Sequence, residues 1–421
     1  GGSQQEMKIA VIGSGISGLI CGYLLGRSHD VTILEADSRP GGHVNTIRVN
    51  GESGTHNVDT GFIVFNQLTY PNFCKLLEKL GVKSKATRMG FSVSCESTGI
   101  EYSGESISGL LGSLRNVSDP GHWMMIKDIL RFHRLNQASS GKNTCGNQTV
   151  NEYVEKNKLG KRFVTHYLHP LGSALWSCPT EKFGEFPMEF VLDFMDNHQM
   201  RQVGNRPTWR VIEGGSRAYV DRILEEVGNR LRLNSPVKSV KHMREEVEVT
   251  LSDETSSKYD EVILACHADQ SMKLLRDSND EGYEILESFP YEKNKVTLHS
   301  DETLLPKRKA AWASWNARIP ANNQAKATST YSMNILQGLQ DRQQFCVSLN
   351  QDDLINRDLH NSDYNYSHPT YSPGRSVAQA RHKEFIRRKG ISLCGAYWGY
   401  GFHEDGISSG IRVCEAFGEN L

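Results

Sequence analysis

Three glycines near the start of the chain have the spacing of a phosphate-binding turn. Gly13, Gly15 and Gly18 follow a short apolar strand at residues 8–12 and precede an apolar helical stretch. In such a turn the first glycine permits a tight bend, and the second lets the backbone approach a pyrophosphate. The third lets the helix pack close to the sheet, while N–H groups at the helix N-terminus face the phosphates. The spacing therefore predicts a dinucleotide site.

An acidic residue follows the second strand of this motif. Glu35 follows the strand at residues 31–34 and lies 35 − 15 = 20 residues after Gly15. A carboxylate at this position accepts hydrogen bonds from ribose hydroxyls and disfavours a 2′-phosphate. Strand, glycines, helix, strand and acid in this order favour a dinucleotide-binding fold over an unrelated glycine turn.

A second glycine pair indicates whether the dinucleotide is a flavin or a nicotinamide cofactor. Gly41 and Gly42 precede His43, and the segment VDTGFIVF contains a further glycine, Gly61. Alone, the pair could be an ordinary turn. Together with the first motif it resembles the extension that glutathione-reductase-like and amine-oxidase-like flavoproteins run along the ribityl chain and pyrophosphate. The interpretation is therefore FAD.

A turn rich in glycine and aromatic residues, GAYWGYGFHEDG at residues 395–406, lies near the end of the chain. It follows a predicted last strand at residues 391–394 and precedes a helix that is predicted to begin at Gly406. The N–H groups of Gly406 and Ile407 can then donate to the flavin pyrimidine carbonyl, where negative charge gathers on reduction. The alternative is a core strand and helix joined by a loose loop.

The composition limits the classes of protein to which this chain can belong. The chain has 421 residues, which predicts two domains, and a net charge of -1 gives no electrostatic case for nucleic acid. No apolar run reaches the roughly 18 residues of a membrane span. Nine cysteines are scattered singly, which favours reduced thiols and a cytoplasmic location, with organellar or peripheral membrane locations left open. Cys266 and His267 have no partners at zinc-like spacing, so no metal is predicted.

Periodicity divides the chain into interleaved segments. Residues 69–206 contain four helical stretches rich in Phe, Met, Leu and Trp, in which the ALWSCP segment breaks the pattern and is predicted to form a pocket wall. Residues 270–389 contain short antiparallel strands and a polar segment, LHNSDYNYSHPTYSPGRS, predicted to be a loop. We therefore expect an FAD-binding domain of residues 7–68, 207–269 and 390–421, and a substrate domain of residues 69–206 and 270–389.

Residues 7–420 resemble the flavin-containing amine oxidase superfamily. The motifs GGHVNT, HYLHPLGSALWSCP, LACHADQ, AWASWN and CGAYWGYGFHEDG are similar to a branch of FAD-dependent oxidoreductases that is associated with cyclopropane-fatty-acid synthases. The resemblance implies an α/β fold: a Rossmann-like, glutathione-reductase-like FAD domain with a discontinuous α+β substrate domain of amine-oxidase type. It also implies flavin contacts at Gly13, Ser14, Gly15, Ile16, Ser17, Glu35, Ala36, Gly41, Gly42, His43, Gly61, Phe62, Ile63, Val237, Cys266, Gly395, His403, Glu404, Asp405, Gly406 and Ile407.

The sequence departs from that family at the flavin link. No cysteine precedes the last strand where a cysteinyl flavin would be attached, and the nearest feature is the segment around His368. Non-covalent FAD is therefore expected, and amine oxidation is disfavoured. His403 is the first candidate for a base, with loop ordering as its alternative role, and Lys295 is a second candidate by resemblance.

The expected activity is a two-electron oxidation or desaturation of an apolar substrate. The association with lipid enzymes suggests a fatty acyl chain, with peripheral membrane contact allowed. The alternatives are an amine oxidase, a redox-neutral flavin isomerase and a lipid-binding flavoprotein.

Overall fold

The computed structural model describes residues 5–104, 107–112, 114–135, 146–197, 207–321 and 328–421. Within these residues the strands are β1 Lys8–Ile12, β2 Asp30–Leu34, β3 Thr46–Asn50, β4 Thr55–Asp59, β5 Val64–Asn66, β6 Ser84–Ala86, β7 Phe91–Cys95, β8 Glu101–Ser103, β9 Trp209–Ile212, β10 Leu231–Arg232, β11 Val237–His242, β12 Val247–Leu251, β13 Ser256–Tyr259, β14 Glu261–Leu264, β15 Tyr291–His299, β16 Trp315–Ile319, β17 Ser329–Ser332, β18 Cys346–Leu349, β19 His360–Pro369 and β20 Ile391–Leu393.

The helices of the same residues are α1 Ile16–Leu25, α2 Pro71–Leu80, α3 Ile107–Leu111, α4 Leu114–Val117, α5 Pro120–Leu135, α6 Val150–Lys156, α7 Lys161–Phe163, α8 His169–Trp176, α9 Thr180–Gly184, α10 Met188–Asn197, α11 Arg217–Val227, α12 Ala268–Leu274, α13 Met333–Gln337, α14 Arg375–Gln379 and α15 His403–Glu415.

A five-stranded parallel sheet has the order β10-β2-β1-β14-β20. Its central strand β1 is buried from Ile9 to Ile12 and pairs in register with both β2 and β14. Strands buried on both faces read as continuous apolar runs, which is why β1 and β14 were recognisable in the sequence. The strands come from three separate parts of the chain, and α1 and α15 pack against them. The predicted α/β fold class is confirmed.

A seven-stranded sheet, β19-β15-β18-β17-β16-β7-β8, is antiparallel except for the parallel pair β7 and β16. The predicted strands at β15 to β18 are confirmed, although the end of the TSTYSMNILQGL segment is helix α13. The division into two domains stays a prediction, and its boundary at residues 206 and 207 adjoins a range outside the described residues.

Most of the segment predicted as a polar loop is a strand, whereas residues 370–374 have no regular structure, as predicted. β19 pairs with β15 from Tyr291 opposite Pro369 to His299 opposite His360. Tyr364 and Tyr366 face inward while Asn361, Asp363 and Asn365 are exposed, which is an alternation with period two. For residues 360–369 the expectation of a loop was wrong, because the Asn and Asp residues, which favour turns, occupy the solvent face and conceal this alternation.

The predicted helices of the middle segment are present. α2 ends at Leu80, and Gly81 follows it in the left-handed conformation with φ +70°, a common end for a helix. α7 continues through a π-helical segment, Val164–Leu168, into α8. α8 extends to Trp176 and ends at Ser177, whose φ is +50°, so the predicted break comes after Trp176 and not at Ala174. His198, the last residue of the fourth predicted helix, lies outside the described residues.

The described residues include no helix long and apolar enough to cross a membrane. Their eight cysteines are free thiols, of which six are buried.

Candidate cofactor and active site

The glycine turn between β1 and α1 leaves room for a ligand at one position. A Cβ on Gly13, whose φ is +109°, would lie 2.6 Å from the Ala265 carbonyl oxygen, so the bend requires glycine. A Cβ on Gly15 would meet no described atom within 4 Å. Gly15 caps the N-terminus of α1, where N–H groups face outward. This open cradle fits a pyrophosphate.

Glu35 is tied to the same turn. Its Oε1 accepts from the Ser14 amide at 3.1 Å and from the Ser14 hydroxyl, and its Oε2 accepts from the Asp37 amide at 3.0 Å. The Ser235 amide donates to the Glu35 carbonyl at 2.8 Å, which brings the start of β11 at Val237 beside it. Ala36 is exposed. Glu35 and Val237 are therefore placed together, as a ribose and adenine site needs.

Two further loops close on the phosphate turn. A Cβ on Gly42 would lie 3.0 Å from the Cα atom of Gly15, and the Gly41 amide donates to the Ser14 carbonyl at 3.0 Å. The Phe62 amide donates to the His43 carbonyl at 2.8 Å, and a Cβ on Gly61 would overlap that carbonyl. Ile63, the next residue, is buried. The structure thus brings together the predicted groups at residues 13–17, 41–43 and 61–63.

The last helix begins three residues earlier than the sequence suggested. α15 starts at His403, and the Gly406 amide donates to the Phe402 carbonyl at 3.1 Å within the helix. The expectation that Gly406 and Ile407 offer free N–H groups was wrong. In a helix that starts at His403, the amides of His403, Glu404 and Asp405 precede the first amide with a backbone acceptor inside the helix. The signal that was missed is Asp405, whose carboxylate accepts from the Phe402 amide at 3.0 Å and caps the helix.

Gly406 instead allows two helix N-termini to meet. A Cβ there would lie 2.8 Å from Ile16 Cγ2, and the Ser17 hydroxyl donates to the Gly406 carbonyl at 2.8 Å. One turn later, a Cβ on Gly410 would lie 2.5 Å from Ile20 Cγ2. α1 and α15 therefore pack with their N-termini side by side, and both positive dipole ends point toward the cofactor cradle.

Gly395 turns the chain between β20 and α15. Its φ is +156°, and its amide donates to the Ser409 hydroxyl at 2.8 Å. A Cβ there would lie 2.6 Å from the Tyr397 ring, so the turn requires glycine.

His403 is held in an aromatic setting. Its Nε2 lies 2.7 Å from the Tyr219 hydroxyl, and its ring stacks on Phe62 with centroids 3.8 Å apart. Phe73 meets the imidazole edge-on at 5.0 Å. Burial lowers the pKa of His403 to about 3. A base works best with a pKa near the working pH, so this geometry favours the ordering role over the role of base.

Glu404 joins α15 to α2. Its two carboxylate oxygens accept from the Asn72 and Phe73 amides, both at 2.9 Å. These amides belong to the first turn of α2, where the dipole favours an anion. Burial nevertheless raises the pKa of Glu404 to about 7 and that of Asp405 to about 6.

Three imidazoles from distant parts of the chain meet beside the cradle. The His43 ring lies 5.7 Å from the His267 ring and 5.5 Å from the His368 ring. The Asn294 amide group lies 2.9 Å from His368 Nδ1, and burial lowers the pKa of His368 to about 4. No sequence spacing indicates this grouping, because the three residues lie more than 100 residues apart in the chain. No set of side chains able to hold a metal ion occurs among the described residues.

Two other candidates have structural partners. Cys266 follows β14, its sulfur lies 3.3 Å from the Ser271 hydroxyl, and burial raises the pKa of this thiol to about 12. Lys295 pairs with Asp352 at 3.1 Å and with Asp363 at 3.9 Å. Its side chain is 43% exposed, and strand alternation directs it away from the face where Asn294 meets His368. The structure therefore does not support Lys295 beside the flavin.

Aromatic residues from the substrate segments approach the start of α15. The Phe402 and Phe194 rings stack at 4.7 Å, and the Phe190 and Tyr371 rings stack at 4.2 Å. Phe190 and Phe402 are half-buried, so part of each ring remains accessible. We call this set the aromatic wall; its members are Trp176, Phe190, Phe194, Tyr371, Tyr400 and Phe402.

The chain is similar to known proteins in sequence and in fold. The family described as flavin containing amine oxidoreductase matches residues 16–308. L-amino-acid oxidase of Mus musculus is 26% identical over 264 residues, which are 59% of this chain but only 39% of that protein. Cyclohexylamine oxidase from Brevibacterium oxydans IH-35A has a TM-score of 0.71 at 12% identity, with 98% of each chain covered. The CLA-producing fatty acid isomerase from P. acnes has a TM-score of 0.70 at 14% identity, with 98% of each chain covered.

Proposed function

Because this chain belongs to the flavin-containing amine oxidoreductase family and is an FAD-dependent oxidoreductase, we propose that it performs a two-electron oxidation or desaturation of an apolar substrate, a fatty acyl or modified lipid chain. Bound FAD supplies the two-electron chemistry. The residues of this chain hold the cofactor, exclude water and orient the substrate. The predicted FAD domain and substrate domain are part of the same proposal.

FAD is proposed to bind without a covalent bond along the line of contacts described above. Glu35 and Val237 would hold the adenosine end, and the turns at residues 13–17 and 41–42 would hold the pyrophosphate. The segments at residues 43, 61–63 and 403–404 would surround the ring. The open space at Gly15 and the N-termini of α1 and α15 support this arrangement.

The aromatic wall is the observation that carries the proposed substrate class. Phe402 precedes the first turn of α15 and stacks on Phe194 from α10, so apolar surface lies next to the proposed ring site. Trp176 directs its only polar group, Nε1–H, to the Tyr400 carbonyl at 3.3 Å. Trp176, Phe194 and Tyr371 are buried and support the wall from behind. Phe190, Tyr400 and Phe402 are half-buried, and the accessible parts of their rings suit a hydrocarbon chain.

The test is anaerobic titration of the flavin-loaded protein. Saturated and unsaturated acyl esters would be compared with primary amines and amino acids of matched chain length, and loss of the visible flavin band would report two-electron reduction. Bleaching by an acyl compound supports the proposal, and bleaching by the amines alone contradicts it. In Phe402→Ala, acyl-driven bleaching should weaken while FAD content remains.

Amine oxidation is the second candidate, because the family match and the mouse relative both carry that chemistry in their names. An isomerase or a lipid-binding flavoprotein would bind an acyl chain without net bleaching. The same titration separates these cases. A cytoplasmic location is also proposed, since the eight described cysteines are free thiols.

A further inference from the structure

Helix α5, at Pro120–Leu135, is apolar on two opposite faces. Its inner face buries Met125, Ile129 and Phe132 in the core of the helical segment. Its outer face exposes Trp123 and Leu130, at 47% and 52% of their surface. A surface helix ordinarily carries polar side chains on the face away from the core. The outer face of α5 therefore needs another explanation.

The exposed apolar residues are concentrated here. Of the eleven large apolar side chains exposed among the described residues, five lie between positions 117 and 135: Val117, Trp123, Met124, Leu130 and Leu135. Within α5, Trp123, Lys127, Leu130 and Arg134 recur at i, i+4, i+7 and i+11 and form one stripe. At 16 residues the helix is about 24 Å long.

The charge on this face has one sign. α5 is described in full, and every exposed residue in it is apolar or cationic: Pro120, Trp123, Met124, Lys127, Leu130, Arg134 and Leu135. The two nearby acids are held by other partners. Asp119 pairs with Arg162 at 2.9 Å, and Asp128 accepts from the Gly160 amide at 3.0 Å and pairs with Arg131 at 3.7 Å.

The Trp123 side chain can enter an apolar environment without losing its hydrogen bond. Its indole N–H donates to the Val117 carbonyl at 2.7 Å. The ring can therefore leave water without an unpaired donor, which would otherwise be costly. The lysine and arginine side chains can lay their methylene stems along an apolar surface and keep their charged ends in a polar layer.

We propose that the outer face of α5 docks on an anionic lipid surface, with the helix lying in the plane of the interface. An apolar face that also carries lysine, arginine and tryptophan side chains has the composition of a helix that lies at a membrane interface. A second copy of this chain fits less well, because a twofold interface would place each cation stripe against itself. This proposal does not depend on the substrate proposed above.

The test measures co-sedimentation of the full chain with vesicles. We expect binding to equimolar phosphatidylcholine and phosphatidylglycerol, weak binding to pure phosphatidylcholine, and loss of binding as salt increases. The double variant Lys127→Gln/Arg134→Gln should weaken binding about twenty-fivefold, at about fivefold for each cation near an anionic membrane. Trp123→Gln/Leu130→Gln should weaken it by more than about tenfold through lost apolar burial.

Leu354→Gln is the matched control, since Leu354 is exposed to the same 52% as Leu130 but lies elsewhere on the surface. It should bind as the unmodified chain does, and thermal unfolding should show all variants folded. Absence of binding to anionic vesicles, equal binding to neutral ones, or an equal loss in the Leu354 control would overturn the proposal. So would a dimer in solution that Trp123→Gln/Leu130→Gln dissociates, because it would identify a second copy as the occupant.

Discussion

The Nε2 atom of His403 lies 2.7 Å from the Tyr219 hydroxyl, and these two residues join the first turn of α15 to α11. With Phe62 stacked on one face of the imidazole, the contact fixes where α15 starts. The amides of the first turn are thereby directed at the proposed ring site. His403 thus holds a helix terminus in place.

The first prediction concerns this ordering role. His403→Phe preserves the stack on Phe62, so flavin reduction by the substrate found in the titration should stay within a few-fold of normal. Removal of a base typically costs about 10²- to 10⁴-fold. Stopped-flow reduction rates measure the difference, with Tyr219→Phe as a control that removes only the hydrogen bond. A hundredfold lower rate of flavin reduction in His403→Phe, at full FAD content, would show that His403 acts as a base.

The second prediction concerns the phosphate cradle. Gly15→Val places its side chain where no described protein atom lies within 4 Å, so the fold should survive while the pyrophosphate loses its space. Bound FAD, measured by absorbance after acid precipitation, should fall by more than about tenfold. Gly104→Val is the control, because a Cβ there meets its nearest atom at 3.7 Å, far from the cradle in the chain. Normal FAD content in Gly15→Val would show that the pyrophosphate lies elsewhere.

A third prediction tests the close approach of α1 and α15. Gly406→Ala should lower the free energy of unfolding by about 1–3 kcal/mol, since its Cβ would crowd Ile16 Cγ2 at 2.8 Å. Ile16→Ala removes that methyl group, so the double variant should be more stable than the two single losses predict. Urea unfolding of all four proteins measures the coupling. Additive losses would mean that the two residues do not meet.

The fourth prediction concerns Glu404 and the start of α2. Glu404→Ala leaves the Asn72 and Phe73 amides without their acceptors, at a cost of about 1–3 kcal/mol in the free energy of unfolding. Glu226→Ala, at an exposed helical position, should change stability by less than about 0.5 kcal/mol. Urea unfolding compares the two variants, and equal effects would argue against the cap.

The fifth prediction is a pH dependence that arises from His382. Its Nε2 donates to the Leu393 carbonyl at 2.6 Å and its Nδ1 accepts from Arg412 at 3.1 Å, while burial lowers its pKa to about 4. The unfolded imidazole has a pKa near 6.5, so the unfolded chain binds the extra proton between pH 6.5 and 4. Stability from this group is therefore complete above about pH 6.5 and is lost as pH falls toward 4.

Between pH 7 and pH 5 this loss amounts to about 2 kcal/mol in the free energy of unfolding. Asp59 and Asp405, whose pKa values burial raises to about 6, change stability in the opposite direction over the same range. The measurement is therefore the difference between the unmodified chain and His382→Gln at each pH, by urea unfolding. A difference that does not change with pH would remove His382 as the source.

Local signals were sufficient to predict the glycine turn that is proposed to hold the cofactor. Gly13, Gly15 and Glu35 lie within one strand, turn, helix and strand, and the backbone of such a unit depends on residues close in sequence. The α2 terminus at Gly81 was predictable for the same reason, because a left-handed residue after an apolar helix is a local requirement. The dinucleotide-binding fold followed from these units, and the full fold class was implied by the resemblance to the family.

Only the tertiary structure decided what distant residues do together. His43, His267 and His368 come from three separate segments, and no periodicity connects them. Strand β19 exists because β15 supplies its partners along almost its whole length, which outweighs the turn preference of its Asn, Asp and Ser residues. Gly406 was predicted to serve the flavin, yet its carbonyl and Cα face α1. Such contacts depend on packing between elements hundreds of residues apart, which sequence spacing does not encode.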